Sequence, residues 1–389
     1  GQTYTIANAG TYLPAFRASG GTTSTTGSFN AGQRPFSYTP PTGFVALNTQ
    51  NLPTPTISNG AAYMAATTYT GTGASLTIAN TVGSTSFQPD FVWVKGRSGA
   101  TDHALYDSVR GATKDLVSNS TAAETTQATG LTAFGSTGFT VGALAKMNTN
   151  AATYVGWQWQ AGGTAVSNTA GTITSSVSAN PTAGFSVVTF TSDGTTAGGT
   201  VGHGLGVAPS MVIYKGRNTV DNWFTYHVTL GGSNAVFLNL TNASTATSLF
   251  NATTPTSSVI QFKQSNWGAG TVVAYCFAAV AGYSKFGSYT GNGSTDGPFV
   301  FTNFQPRWVM VKRTDSTSDW YIWDTSRDTY NVEAATLLAD TSGAETSATS
   351  IDGLSNGFKC RSATVVNASG GTYIYAAFAS SPFRNSLAR

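Results

Sequence analysis

Phe87-Gln88-Pro89-Asp90-Phe91-Val92-Trp93-Val94-Lys95-Gly96-Arg97 decides how this chain is read, because the stretch comes back twice. It returns as Val207-Ala208-Pro209-Ser210-Met211-Val212-Ile213-Tyr214-Lys215-Gly216-Arg217, and again as Phe304-Gln305-Pro306-Arg307-Trp308-Val309-Met310-Val311-Lys312-Arg313. A proline, four strand-forming residues, a lysine and then an arginine in three places is poorly explained by chance. Self-similarity at this scale points to repeated supersecondary units.

The surroundings of this anchor keep the same order. Upstream lie Tyr69-Thr70-Gly71-Thr72-Gly73, Phe190-Thr191-Ser192-Asp193-Gly194 and Tyr289-Thr290-Gly291-Asn292-Gly293, each a strand end running into a glycine turn. Downstream lie the aromatic runs beginning at Thr153, Thr271 and Thr372. Pro89 to Thr153, Pro209 to Thr271 and Pro306 to Thr372 are 64, 62 and 66 residues apart. The outer copies agree most closely: His103 to Arg110 matches Trp320 to Arg327, and Gly138-Phe139 matches Gly357-Phe358. The middle copy has Trp223-Phe224-Thr225-Tyr226-His227 there and lacks the Asp and Arg.

Apolar residues occur in short runs bounded by Gly, Asn, Ser and Thr, and helical periodicity is almost missing, so the fold class predicted is all-β. One sheet would leave an apolar face exposed, so each unit is expected to be a β-sandwich, jelly-roll-like, in three diverged tandem copies. The expected bounds are an N-terminal arm at 1–55, repeats at 56–163, 172–281 and 282–389, and a Thr/Ser/Ala-rich linker at 164–180 that overlaps the start of the second repeat. Within the arm, 3–6 and 36–38 read as strands.

Composition narrows function. Charged residues are 9% of 389, against roughly 25% in an ordinary soluble domain, which suits a protein held in an assembly or outside a cell. A net charge of +3 with scattered Lys and Arg argues against nucleic acid. No apolar run is long enough for a transmembrane helix, and no signal-peptide pattern is visible from Gly1-Gln2-Thr3 onward, where a basic region and an apolar core would be expected. Cys276 and Cys360 make no disulfide scaffold.

No constellation assembles an active site. His103, His203 and His227 read as structural, and no metal or cofactor site is expected; Asp193 and the Asn292-to-Asp296 loop lack the regular oxygen ligands of a calcium loop. Asp107 with Arg110, and Asp324 with Arg327, read as structural ion pairs rather than as halves of a glycosidase carboxylate pair with Glu124 or Glu345. Lys95, Lys215 and Lys312 are expected to blunt a sheet edge or span a subunit contact. Alternation points to core packing for most of Trp157, Trp159, Trp223, Trp320 and Trp323; as the alternative, Trp223 and Trp320, which flank the variable loop after the anchor, are the candidate glycan contacts, since a flat ring matches the C–H face of a pyranose.

Phe36-Ser37-Tyr38-Thr39-Pro40-Pro41-Thr42-Gly43-Phe44-Val45-Ala46-Leu47-Asn48-Thr49 resembles the closing segment of SPRY-like, concanavalin-type modules in structural proteins of large tailed phages. Phe87 to Arg110, and Gly370 to Phe378 followed by Pro382-Phe383, resemble the uncharacterised repeated domain that follows such a module. The resemblance implies a virion component of a tailed bacteriophage; with no active site in the sequence, the function expected is a non-enzymatic tail fibre or tail appendage that contributes to host-surface attachment. It further implies self-association as a homotrimer, contacts with other virion proteins and with host cell-surface polysaccharide, and an extracellular place in the released particle. The alternatives carried from the residues are a capsid decoration or cement protein, and a polysaccharide-degrading or glycan-binding module.

Overall fold

The computed structural model describes residues 39, 42, 43, 45 and 48–385, apart from 195–198, 251, 264–268 and 348. Two compact units divide the chain, Gly1–Leu52 and Pro53–Arg389. In the first, the 3-10 turn Thr49–Asn51 is capped by Asn48; the strands expected at 3–6 and 36–38 lie outside the described residues.

Among its described residues the second unit is all-β apart from short turns and the four-residue helix Ala145–Asn148. Three large antiparallel sheets carry the anchor strands. The first has the order Met64–Thr70, Thr153–Trp159, Phe91–Gly96, Ala104–Asp107. At the heart of the second stand Phe185–Asp193, Ala269–Phe277, Met211–Gly216 and Phe224–His227, and of the third Ser284–Thr290, Thr372–Pro382, Phe304–Arg313 and Trp320–Asp324. In each, the last of the four strands in sequence lies between the first and second. The register also corresponds: Phe91 faces Trp159 and Asp107, Met211 faces Phe277 and His227, and Trp308 faces Phe378 and Asp324.

The stretch expected as a linker, 164–180, is instead largely strand. Val166–Asn168 and Ser175–Asn180 pair with each other, and the latter continues into Phe185–Asp193, so both extend the second sheet. Its serines serve buried as well as exposed strand positions: Ser175 and Ser178 are buried, where Ser175 Oγ donates to Gly202 O and Ser178 Oγ accepts from Gly162 N.

The anchor strands explain why their sequences are continuously apolar rather than alternating: both faces are buried. Val92 and Val94 point into a cluster with Ile78, Leu131, Phe139 and Val141 of a three-stranded outer sheet. Val212 and Tyr214 do the same with Val201, Ile260 and Phe262 of a two-stranded one. On the opposite face, Phe91, Trp93, Met211, Ile213, Trp308 and Met310 enter one cluster that all three large sheets share.

At the middle of that cluster stand Trp159, Phe277 and Phe378, the residues that face the first anchor position in each sheet. Their ring centroids are 6.2, 5.7 and 5.8 Å apart with interplanar angles of 72°, 70° and 66°. Each ring therefore meets the others edge to face, the arrangement that the aromatic quadrupole favours. Trp308 closes the cluster at 5.5 Å from Trp159, and Phe91 stacks on Tyr275 at 4.3 Å.

Removing one of these rings opens a cavity that three sheets border and none can fill alone. Trp159→Ala is expected to cost about 3–5 kcal/mol, and Phe277→Ala and Phe378→Ala should lose stability in the same range. Urea unfolding followed by circular dichroism checks this, and a single transition is expected in each variant.

Candidate functional site: the junctions between the sheets

Each anchor strand carries a lysine as its penultimate residue, and each lysine crosses to another segment. Lys215 Nζ donates to Thr121 O at 2.9 Å and to Asp221 O at 2.8 Å. Lys312 Nζ reaches Thr241 O at 2.9 Å and Ser318 O at 2.6 Å. Lys95 Nζ reaches Ser342 O at 3.1 Å and Gly343 O at 2.7 Å. The second segment thus leans on the first, the third on the second and the first on the third. All three lysines are fully buried, so they neither blunt an edge nor meet a subunit; they bridge within the chain.

Main-chain bonds repeat the pattern. Thr101 N, Asp221 N and Ser318 N donate to the same three carbonyls, of Ser342, Thr121 and Thr241, while Glu345 N, Glu124 N and Ser244 N donate to Arg97 O, Arg217 O and Thr314 O. A ring nitrogen adds a further bond at each junction: Trp223 Nε1 to Val117 O at 2.9 Å, Trp320 Nε1 to Phe237 O at 2.8 Å, and His103 Nε2 to Leu338 O at 2.8 Å. Trp93 Nε1 donates to His103 Nδ1 at 2.7 Å, so the proton of the neutral imidazole sits on Nε2.

These bonds correct the glycan expectation for Trp223 and Trp320. The two side chains are 0% and 2% exposed, their rings in the shared core and their N–H groups spent on a neighbouring carbonyl. Neither presents a face to a sugar. An indole before a short strand reads the same in sequence whether it closes a junction or lines a surface.

Asp107 and Arg110 form a buried ion pair, and so do Asp324 and Arg327. Each arginine continues outward. Arg110 Nη1 meets Glu124 at 2.9 Å, and Glu124 also accepts from Arg217 of the middle segment at 2.8 and 2.9 Å. Arg327 Nη1 meets Glu345 at 3.1 Å, and Glu345 accepts both donors of Arg97 at 2.8 Å. Inward, Asp107 accepts from Tyr275 Oη at 2.8 Å and Asp324 from Trp157 Nε1 at 2.9 Å, both on another sheet. Two junctions thus carry a chain of Asp, Arg, Glu and Arg. With an arginine between them, the carboxylates of Asp107 and Glu124 are occupied acceptors rather than a pair flanking an open cleft.

The third junction lacks this chain on both of its sides. Register places Arg313 opposite Tyr373, where Gly96 faces Tyr154 and Gly216 faces Val272. Thr314, not Arg313, therefore matches Arg97 and Arg217, and the Lys-Arg reading of the sequence is displaced by one residue. Ser244 stands for the glutamate, His227 for the aspartate, and Ala376 for Tyr275 or Trp157. Arg313 turns to Asp315 at 2.9 Å, and His227 Nε2 to Tyr375 O at 3.2 Å. Charge has been lost from acid and base together, so the exchange strands neither ion at this junction.

Burial sets the electrostatics. It lowers each of Lys95, Lys215 and Lys312 to about 8, since their partners are carbonyls and the nearby Asp102, Asp221, or Asp340 with Asp319, only partly offset it. It drives His103 down to about 3 and His227 to about 4. Burial works to raise Glu124 and Glu345, but their arginines overcome it and hold both below the usual range.

Among the described residues no group of three or more His, Cys, Asp or Glu stands together as a metal site. Asp193 ends a strand, and Asp296 pairs with Lys359. Cys276 and Cys360 are free and buried. A recess of about 580 Å³ is lined by Ser175, Thr189, Thr191 and Thr271 together with Ile173 and Phe190, and its cation, Arg217, is held by Glu124.

Two measurements check the junctions. Glu124→Ala leaves Arg110 its Asp107 partner but removes the carboxylate it shares with Arg217, and is expected to cost about 1–3 kcal/mol, whereas Ser244→Ala at the matching position stays within about 0.5 kcal/mol; urea midpoints compare them. Between pH 7.5 and 9 the lysines begin to lose protons in the folded chain while the unfolded chain, with lysine at about 10.4, keeps them. The unfolded state then binds more protons, so this contribution to stability rises with pH. Lys215→Met should make the slope of stability against pH less positive than in the unaltered chain; equal slopes would contradict a desolvated ammonium.

No curated protein and no solved structure matches the chain. A family model described as a domain of unknown function, DUF7483, matches residues 59–382, a span that takes in all three large sheets and all three junctions. With most of its length inside that match, the chain belongs to the DUF7483 family.

Proposed function

We propose that the chain is a non-enzymatic structural protein of a virion, a tail fibre or tail appendage that contributes to host-surface attachment by a tailed bacteriophage. The observation that carries this reading is where the scarce charge goes. Eight acids and bases, Asp107, Arg110, Glu124, Arg217, Asp324, Arg327, Glu345 and Arg97, form two chains of ion pairs, and each chain runs from one segment into the next. Such an allocation favours rigidity over chemistry. The sequence resemblance to phage structural modules adds to it.

The fold reading under this proposal is three diverged copies of one two-layer β unit, at about 56–163, 172–281 and 282–389. Matching strand orders, registers and junction bonds support it, as does the outer sheet that covers each large sheet. The proposal extends to self-association as a homotrimer, to other virion proteins as neighbours, and to polysaccharide on the host cell as the surface met by the released particle.

Gold-labelled antibody against the purified chain, applied to intact particles in electron microscopy, tests the reading. Label at the tail is expected. Label spread over the capsid would move the protein to a decoration role, and its absence from purified particles that contain no copy by mass spectrometry would overturn the virion assignment.

A further inference from the structure

On the outer sheet of the third segment, Phe299 and Phe301 are 46% and 47% exposed, with buried Val300 between them. Their rings share the solvent-facing side, with centroids 6.5 Å apart. The molecule supplies its own control for what this strand needs. Val300 faces Phe358, Ile78 faces Phe139 and Val201 faces Ile260, so the same inward position recurs in all three outer sheets. The flanking positions are Thr77 and Ala79, both exposed, in the first segment, and in the second half-buried Thr200 and buried Gly202, which Thr172 and Asn168 cover. A strand of this kind forms without aromatic residues. Two half-exposed phenyl rings also gain little from burial where they stand, so folding does not account for them.

Charged groups surround the pair. Lys285 Nζ lies 5.2 Å from the Phe301 centroid and donates to Phe301 O at 2.7 Å. Lys359, opposite Phe299 in register, pairs with Asp296, and Arg361 meets Asp352 at 2.5 Å. Three cations and two carboxylates leave one positive charge, on Lys285, which has a carbonyl and a ring for company.

We propose that Phe299 and Phe301, with Lys285 beside them, form a binding platform for an acidic glycan. Rings would take the C–H face of a pyranose, and Lys285 its carboxylate. A protein partner fits less well. Two half-exposed phenyl rings offer on the order of 200 Å², against about 800 Å² per partner in a stable interface. Drying the Lys359, Asp296, Arg361 and Asp352 network would also cost desolvation that a hydrated sugar does not demand. This platform rests on the host-attachment reading for its role, though the binding itself can be measured apart from it.

The test uses the full chain on an array of defined oligosaccharides: neutral hexose, N-acetylhexosamine and uronic-acid series. Binding is expected in the uronic-acid series. It should fall at least tenfold in the double variant Phe299→Thr, Phe301→Ala, whose new residues are those of the first segment, with the thermal midpoint unchanged. Lys285→Gln, which leaves the strand intact, should weaken acidic glycans and spare neutral ones. No binding by the unaltered chain, undiminished binding by the double variant, or a dimer that sedimentation shows to depend on the two phenylalanines would overturn the platform. Binding that survives the double variant leaves attachment standing and refutes the site; binding lost in the variant by a chain absent from particles does the reverse.

Discussion

Three aromatic rings, Trp159, Phe277 and Phe378, hold one another edge to face at the point where three sheets meet, and the rest of the molecule is arranged so that they can. A sheet in this protein has two apolar faces. The outer sheets cover one, and only the other two large sheets can cover the second. No large sheet can leave the group without exposing its inner face to water, which is why the hydrophobic term couples the three segments into one body.

The junctions then fix which face meets which. Apolar packing is not directional, but a lysine that needs carbonyl partners, and an arginine that needs a carboxylate on the next segment, accept few alternative placements. Burying ions in this way is not an efficient source of net stability; its contribution is to the choice of arrangement. The third junction supports this view. Where Arg and Glu are replaced by Thr314 and Ser244, and Asp by His227, the backbone bonds and Lys312 remain, so the geometry persists with the ion chain removed from both sides.

Much of this was legible in the sequence, because strand residues and turn glycines act locally. The anchor strand, the closing strand and their near-constant spacing were readable from the chain, as was the Asp-to-Arg spacing that closes a tight turn. What crosses between segments was not. That Lys95 would meet Gly343, or that Glu124 would answer Arg217 rather than only Arg110, depends on contacts 248 and 93 residues apart in sequence, which no local pattern encodes. Burial of Trp223 and Trp320 escaped for the same reason: alternation tells which residues share a face, not whether another sheet covers it. The offset of Arg313 by one residue became visible only through register. Phe299 and Phe301 could have been found, since their neighbours at the matching positions are small or polar, but that comparison needs the alignment of strands that the structure provides.

The central claim is that the three sheets form one cooperative body rather than three that fold separately. Native-state hydrogen exchange across a denaturant series tests it most directly, read at the buried anchor-strand amides of Val92, Val94, Val212, Tyr214, Val309 and Val311. If the shared core couples the sheets, amides from all three exchange only through global unfolding, with one opening free energy and one denaturant dependence. A sheet whose anchor amides open at lower free energy, with a smaller denaturant dependence, while the other two stay protected, would contradict the account.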